Sequence, residues 1–256
     1  MTVTATETAK SGRWGGRISG IAIALAVLSL LALGAAPLGW RTGLLPLRID
    51  FELLMLAAIA AVLGGVTAAI ALAVWRRRLG GLRILLLAGA FLLGAGFVLL
   101  PLRLAMHHAP PIHDITTDTA DPPAIIAALP ARQAEHAAPA AYGGPATAAQ
   151  QRAAYPDIAP VILPLSATKA FDLALTTARG MPHWKIIATD PSAGRIEASE
   201  ASFWFGFVDD IVIRVAADGA GSRIDIRSVS RQGKGDLGVN AARVRAYIAA
   251  LKGTAG

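Results

Sequence analysis

The sequence contains no cysteine, and only 16% of its 256 residues are Asp, Glu, Lys or Arg. Without a thiol, the chain cannot form disulfides, use a thiolate nucleophile or bind zinc or iron–sulfur clusters through cysteine. The sequence also has no G-x-S-x-G nucleophile elbow and no Walker phosphate-binding loop. Several common kinds of enzyme are therefore excluded.

What the sequence has in excess is hydrophobic residues, which make up 54% of the chain and give a mean hydropathy of +0.53. That composition exceeds what an ordinary soluble domain carries. The net charge is +7, but it is distributed unevenly. Residues 1–105 contain ten Lys and Arg against three Asp and Glu, whereas residues 106–256 contain fourteen of each. The basic excess accompanies the hydrophobic segments, which favours membrane orientation over binding to a nucleic acid.

Three long apolar runs, 18–38, 51–75 and 82–104, lie in the first 105 residues. Each is close to the roughly 20 residues that cross a bilayer as a helix. The first run could also be a signal peptide, but it is long for one and two more runs follow it. No ionisable residue lies in the middle of a run, which argues against a transporter or channel. We therefore predict a three-helix transmembrane anchor over 1–105, with the lipid bilayer as its partner.

The short loops between the runs predict the orientation of this anchor. The second loop carries four arginines and no acidic residue, and the N-terminus carries three basic residues. The positive-inside rule places both in the cytoplasm, so an odd number of spans puts everything after Leu104 outside. The high Ala, Gly and Arg content favours a bacterial source. We therefore expect a multi-pass inner-membrane protein with a periplasmic C-terminal domain.

Residues 106–156 are rich in Ala, Pro and Gly, which predicts an extended, weakly structured connector with a short helix over 124–129. His107, His108 and His113, with Asp114, are the only grouping of residues typical of a metal site. Imidazoles and a carboxylate could hold zinc, but no helix fixes their geometry, so a solvated segment is the favoured interpretation. No metal or other cofactor is predicted.

Residues 157–256 are predicted to form an α+β domain with an antiparallel sheet and two helices packed on one face. Apolar residues alternate at Ile211, Ile213 and Val215 and again at Ile224 and Ile226, as in strands with one buried face. The complete set of predicted elements is strands at 158–163, 184–189, 195–203, 208–216 and 222–230, and helices at 166–178 and 236–252.

Two segments are candidate binding sites. The glycine-rich stretch 231–243 precedes the last helix, where exposed backbone N–H groups and basic side chains can bind an anion, unless Asp236 itself caps the helix. The stretch FWFGF at 203–207 has aromatic residues on both faces and could form an apolar ligand wall or touch a membrane, unless it completes the core. The candidate ligand-binding residues are Arg231, Lys234, Gly235, Asp236, Gly238, Asn240, Arg243, Trp204 and Phe205.

No set of residues in this domain indicates catalysis. Asp209 and Asp210 are neighbours on a strand and point to opposite faces, which suits pairing with Arg214 or Arg227 better than joint acid–base chemistry. We therefore predict a non-catalytic binding module for an envelope protein or a small anionic or apolar ligand. The alternative is a periplasmic hydrolase that uses His183 and the acidic residues around 209–236.

Several short motifs follow one another in a distinctive order: PIHDITTD at 111–118, DPP at 121–123, YPD at 155–157, GRIE at 194–197, FWFGF at 203–207 with Asp209 and Asp210, RSVSR at 227–231 and DLGVN at 236–240. In this order they resemble the bacterial family known as domain of unknown function 1499, over roughly 108–252. This chain lacks the cysteine-containing opening motif of some members, and the resemblance implies no activity. It does imply that the HDITTD segment belongs with the domain.

Overall fold

In the computed structural model, residues 5–105 and 109–255 are described, and the chain divides into two compact units, Met1–His108 and Ala109–Gly256. The first unit consists of three helices that are long and apolar enough to cross a membrane. They are α1 (Ala5–Arg41), α2 (Leu47–Trp75) and α3 (Gly81–Ala105), with one 3-10 turn at Arg76–Arg78 between the last two. The predicted three-helix anchor is confirmed at this level.

Small residues allow these helices to approach closely, as expected for helices that pack within a bilayer. A Cβ atom added to Gly65 would lie 3.1 Å from the Gly94 Cα atom, and one added to Gly64 would lie 3.2 Å from the Ala22 carbonyl oxygen. Larger side chains at either glycine would force the backbones apart.

The second unit is an α+β domain built on an antiparallel sheet, as predicted. The sheet has six strands instead of the predicted five, because Asp114–Thr116, in the predicted connector, forms an additional strand. Its strand order is β1-β6-β5-β4-β3, and β2 pairs with the same edge of β6 as β1 does. The strands are β1 (Asp114–Thr116), β2 (Val161–Leu163), β3 (Trp184–Asp190), β4 (Arg195–Ala201), β5 (Val208–Asp218) and β6 (Gly221–Ser230). The helices are α4 (Leu129–Ala134), α5 (Gly144–Ala154), α6 (Ala167–Gly180) and α7 (Val239–Ala255).

Helices α6 and α7 pack on one face of the sheet, which we call the helix face. The predicted alternation places Ile213 opposite Ile226 and Val215 opposite Ile224, and all four are buried in the main core. Tyr247 of α7 is also buried there and donates its hydroxyl to the Ala174 carbonyl oxygen of α6 over 3.0 Å. The core therefore ties both helices to the two central strands.

The opposite face is covered by residues 125–140, part of the segment 109–156. That segment differs from the weakly structured connector that its composition predicts, since it also supplies β1 and two residues of the main core, Ile112 and Ile115. Ile125 and Ala128 pack against Val212 and Val229 in a second, smaller core. The buried Gln151 side chain of α5 bonds both the N–H and the carbonyl oxygen of Thr116, at 3.0 and 2.6 Å. The short helix begins at Leu129, whereas the sequence predicts a start at residue 124. The backbone N–H groups of 126–128, just before it, donate to the side chain of Glu197. We call this second side the covered face.

The last helix begins at Val239 and not near Asp236, because the backbone before it is not helical. Leu237 and Gly238 have φ angles of 55° and 86°, in the left-handed region. Asp236 accepts bonds from the Gly238 and Asn240 backbone N–H groups at 2.9 and 2.7 Å. The carboxylate therefore satisfies amide donors at the helix start, as capping residues do.

Candidate functional site

The glycine-rich stretch 231–243 does not gather its basic residues around one point. Arg231 lies on the covered face and Arg243 on the helix face, because their partners Asp210 and Asp209 are neighbours on β5 and point in opposite directions. The Asp236 carboxylate occupies the start of α7, where an external anion was predicted to bind. Anion binding by this full set of residues remains a prediction.

On the helix face, Arg243 is buried in a polar cluster. Its Nε donates to Glu200 Oε2 over 2.7 Å, its Nη2 approaches Asp209 Oδ2 at 2.8 Å, and its Nη1 donates to Asn240 Oδ1 over 2.7 Å. Burial raises the pKa of Asp209 although Arg243 opposes that shift. Asn240 also donates to the His113 carbonyl oxygen over 3.0 Å, which ties α7 to the start of β1. The cluster is paired internally and serves the fold.

On the covered face, Asp210 is almost fully buried and accepts hydrogen bonds from two arginines. Arg132 Nη1 donates over 2.7 Å, and Arg231 donates through Nε and Nη2 over 3.0 and 2.6 Å. Arg231 also reaches Glu135. The expected pairing of Asp209 and Asp210 with Arg214 or Arg227 is therefore wrong, since Arg243, Arg132 and Arg231 take those carboxylates.

Two further buried carboxylates hold the covering segment on the sheet. Asp114 binds Arg227 through two hydrogen bonds, of 2.9 and 2.7 Å. Glu197 accepts the backbone N–H groups of 126–128 over 2.9 to 3.2 Å, so a strand carboxylate satisfies the amides that precede α4. Neither role is visible in the sequence, because the partners lie far apart along the chain. Buried charges need such partners because desolvation is costly.

The aromatic stretch forms a tight turn between β4 and β5. The Ser202 N–H donates to the Phe207 carbonyl oxygen over 2.8 Å, and the Phe207 N–H donates to Ser202 Oγ over 3.0 Å. Phe205 is buried and stacks on Phe207 with ring centroids 4.9 Å apart, whereas Trp204 is exposed. Trp204 and Phe205 are brought together, at 5.6 Å between centroids, but they face different surroundings.

The described part of the domain contains a cleft of about 480 Å³ between the start of β1, the chain leading into α5, and the glycine-rich loop. Its lining includes His113, Tyr142, Thr147 and Lys234, with the Arg227-bound carboxylate of Asp114. Lys234 is the one predicted binding residue that lines it. We call this space the His113 cleft.

Two residues of the lining each have one polar atom that is buried from solvent and has no hydrogen-bond partner: the Nδ1 atom of His113 and the hydroxyl of Tyr142. Such atoms are rare in folded proteins, because leaving one unpaired costs about 1–3 kcal/mol. Burial, followed by the negative charge of Asp114, raises the pKa of Tyr142 to about 12. The phenol therefore stays protonated and can donate a hydrogen bond at any physiological pH.

The other histidines give no reactive arrangement among the described residues. His183 is exposed just before β3, with a φ angle of 66°, and makes no hydrogen bond to an acidic side chain in 109–255. His107 and His108 lie outside the described residues, and within 5–105 and 109–255 no group of acidic and histidine side chains could hold a metal ion.

These features define a multi-pass membrane protein with an α+β domain whose buried charges are largely paired with one another. The chain belongs to the family described as protein of unknown function (DUF1499), which matches residues 114–251, more than half of the chain. The family resemblance of the sequence motifs is thereby confirmed. No curated protein and no solved structure matches the chain.

Proposed function

We propose that this protein is a membrane-anchored, non-catalytic binding module of the cell envelope, and that its domain binds a small polar ligand in the His113 cleft. The observation that carries the proposal is the pair of unpartnered atoms, His113 Nδ1 and the Tyr142 hydroxyl, in the wall of a cleft of about 480 Å³. That volume lies within the range of small-molecule sites. Both atoms are buried within the wall, so a ligand that shifts the side chains of His113 and Tyr142 would supply the missing hydrogen bonds.

The lining favours an anionic or acceptor-rich ligand. Tyr142 is a permanent donor, and the exposed Lys234 contributes a flexible positive charge at the rim. Asp114 adds no free negative charge because Arg227 binds both of its oxygens. Carboxylate or phosphate groups therefore match the donors of the cleft better than cations do.

A binding role fits the rest of the domain better than catalysis does. Asp209 and Asp210 are each engaged by buried arginines on opposite faces of the sheet, and Asp236 caps α7. A general base must reach its proton over hydrogen-bond distance, and among the described residues 109–255 no acidic side chain orients His183. These contacts support binding over the alternative, a periplasmic hydrolase.

We propose that this domain lies on the periplasmic side of a bacterial inner membrane. The arginines of the second loop favour the cytoplasm for that loop, and three candidate spans then put the domain on the other side. A reporter enzyme that is active only outside the cytoplasm, fused after Gly256, should be active. A fusion after Arg78 should be inactive. The reverse pattern would refute the topology while leaving the cleft untouched.

The ligand is tested by native mass spectrometry of the full-length protein, extracted gently from its own membrane. We expect one reproducible added mass in the wild type, and its loss in Tyr142→Phe, which keeps the ring and removes only the donor. His183→Asn is the matched control, because His183 is exposed outside the cleft and Asn tolerates its left-handed backbone. A bare wild type, or an added mass that Tyr142→Phe retains, would refute the proposal. Loss in the His183 variant alone would favour the hydrolase.

A further inference from the structure

Large apolar side chains are exposed at one end of the sheet. Among the described residues 109–255, seven large hydrophobic residues are exposed, and four of them lie in or directly after two loops. One loop is the aromatic turn 202–207, and the other is 231–238, which Val239 follows as the first residue of α7. The four residues are Phe203, 95% exposed, Trp204, 48%, Leu237, 67%, and Val239, 50%.

The two loops lie side by side because β5 and β6 pair up to their ends. Asp209 is opposite Ser230, and the Arg231 N–H donates to the Val208 carbonyl oxygen over 2.9 Å. The aromatic turn precedes Val208 and the second loop follows Ser230, so both project from the same end of the sheet. We call this end, with its four apolar residues, the apolar tip.

The packing of the domain does not explain why a leucine occupies position 237. Its φ angle of 55° lies in the left-handed region, which glycine and asparagine adopt far more readily than leucine. Two-thirds of its surface is exposed, so it gains little from the core. The turn that displays Phe203 is likewise fixed by hydrogen bonds through Ser202. The fold holds apolar side chains outward.

The start of the domain lies against the same tip. A Cβ atom added to Gly235 would be 3.4 Å from the Pro111 Cα atom, and one added to Gly238 would be 4.0 Å from the Ala109 Cβ atom. Residues 109–111, the first described residues of the domain, therefore pack beside the glycine-rich loop.

The charge of the tip suits a membrane surface. Lys234 is exposed in the second loop, while the acidic residues nearby are engaged: Asp236 by backbone N–H groups, and Asp209 and Glu200 by Arg243. Phe and Trp at an apolar surface beside lysine are typical of side chains that sit at the headgroup level, where anionic lipids attract basic residues.

We infer that the apolar tip inserts into the lipid headgroup region of the membrane that anchors the chain. Phe203, Trp204 and Leu237 enter the boundary between headgroups and acyl chains, and Lys234 meets lipid phosphate. This contact would fix the domain close to the bilayer. It requires neither a ligand in the His113 cleft nor a particular side of the membrane.

The test uses the full-length chain in vesicles containing neutral and anionic phospholipids. The absence of native cysteine allows single substitutions Phe203→Cys, Leu237→Cys and Ile162→Cys to carry one environment-sensitive fluorophore. Ile162 is the matched control, since it is 58% exposed and lies far from the apolar tip. It pairs opposite Arg223, which is eight residues before Arg231 and so roughly 26 Å from it along the strand direction. Quenchers attached to lipids at shallow and deep positions report contact with the bilayer.

We expect blue-shifted emission and lipid quenching at positions 203 and 237, and neither at position 162. Shallow quenchers should act more strongly than deep ones, because interfacial groups enter only about 5–10 Å. Unquenched probes at 203 and 237 would overturn the inference. So would efficient cross-linking between two copies at position 237 without lipid quenching, which would assign the tip to a second copy of the chain.

Discussion

The most demanding prediction concerns Asp210, whose carboxylate is the shared partner of two buried arginines on the covered face. Asp210→Asn keeps the shape of the side chain and removes its charge. Arg231 keeps Glu135, but Arg132 keeps only the carbonyl oxygens of Ala138 and Ser230, at 2.7 and 3.3 Å. A buried guanidinium then lacks a neutralising partner.

Breaking a buried pair by removing one partner costs about 3–5 kcal/mol, and the remaining Glu135 contact places Asp210→Asn near the lower value. A loss of about 3 kcal/mol corresponds to roughly a 10²-fold faster exchange of amides that open only on global unfolding. The assay is hydrogen exchange with mass spectrometry on the full-length protein in detergent, read on peptides from β5 and β6.

Asp157→Asn is the matched control, because Asp157 pairs with Arg245 at the surface through two hydrogen bonds. An exposed pair contributes about 0–1 kcal/mol, so exchange should accelerate by no more than about fivefold. Equal, small changes in Asp210→Asn and Asp157→Asn would refute the view that the covered face depends on buried charge pairing.

Three further predictions use the same protein in detergent. Gly194→Ala should destabilise the domain more than Gly219→Ala: both have positive φ, but only at position 194 would a Cβ collide with the Val215 carbonyl oxygen; equal unfolding midpoints in urea would contradict this. Burial raises the pKa of Asp118, but backbone N–H donors and two arginines outweigh burial and hold the pKa below 3.8. The stability that Asp118 contributes is therefore present above pH 3.8 and is lost as the pH falls through the lower pKa of the folded state. Asp118→Asn should make the free energy of unfolding fall less steeply with acid, and an unchanged slope would contradict this. Tyr142→Phe removes an unpartnered buried hydroxyl and should not lower the thermal midpoint of the ligand-free protein; a marked drop would show a hydrogen bond that the structure lacks.

Features that repeat locally were predictable from the sequence. The alternation of Ile211, Ile213 and Val215 fixes which side of β5 faces the core, and the 3.6-residue pattern after Ser166 fixes α6. Each of the three apolar runs is longer than a buried helix of a small domain needs to be. These signals depend only on neighbouring residues, so no knowledge of distant contacts was required.

Features that depend on distant partners were not predictable. Asp114 and Arg227 are 113 residues apart, and Glu197 reaches amides about 70 residues earlier in the chain. No local pattern marks such pairs, so the Ala- and Pro-rich composition of 106–156 predicts a connector instead. Strand parity could have separated Arg231 from Arg243, since Arg231 continues the side of β6 that carries Arg227.

The proposal that the His113 cleft holds a ligand while the protein is in its native membrane is tested most directly by measuring how fast a cysteine in the cleft is alkylated. Ala141→Cys lies at the lining and Ala153→Cys lies on the exposed side of α5, and the chain has no other cysteine. In native membranes Ala141→Cys should react slowly, and its rate should rise after extraction and dialysis while that of Ala153→Cys stays constant. Equal rates for Ala141→Cys before and after extraction would contradict an occupied cleft.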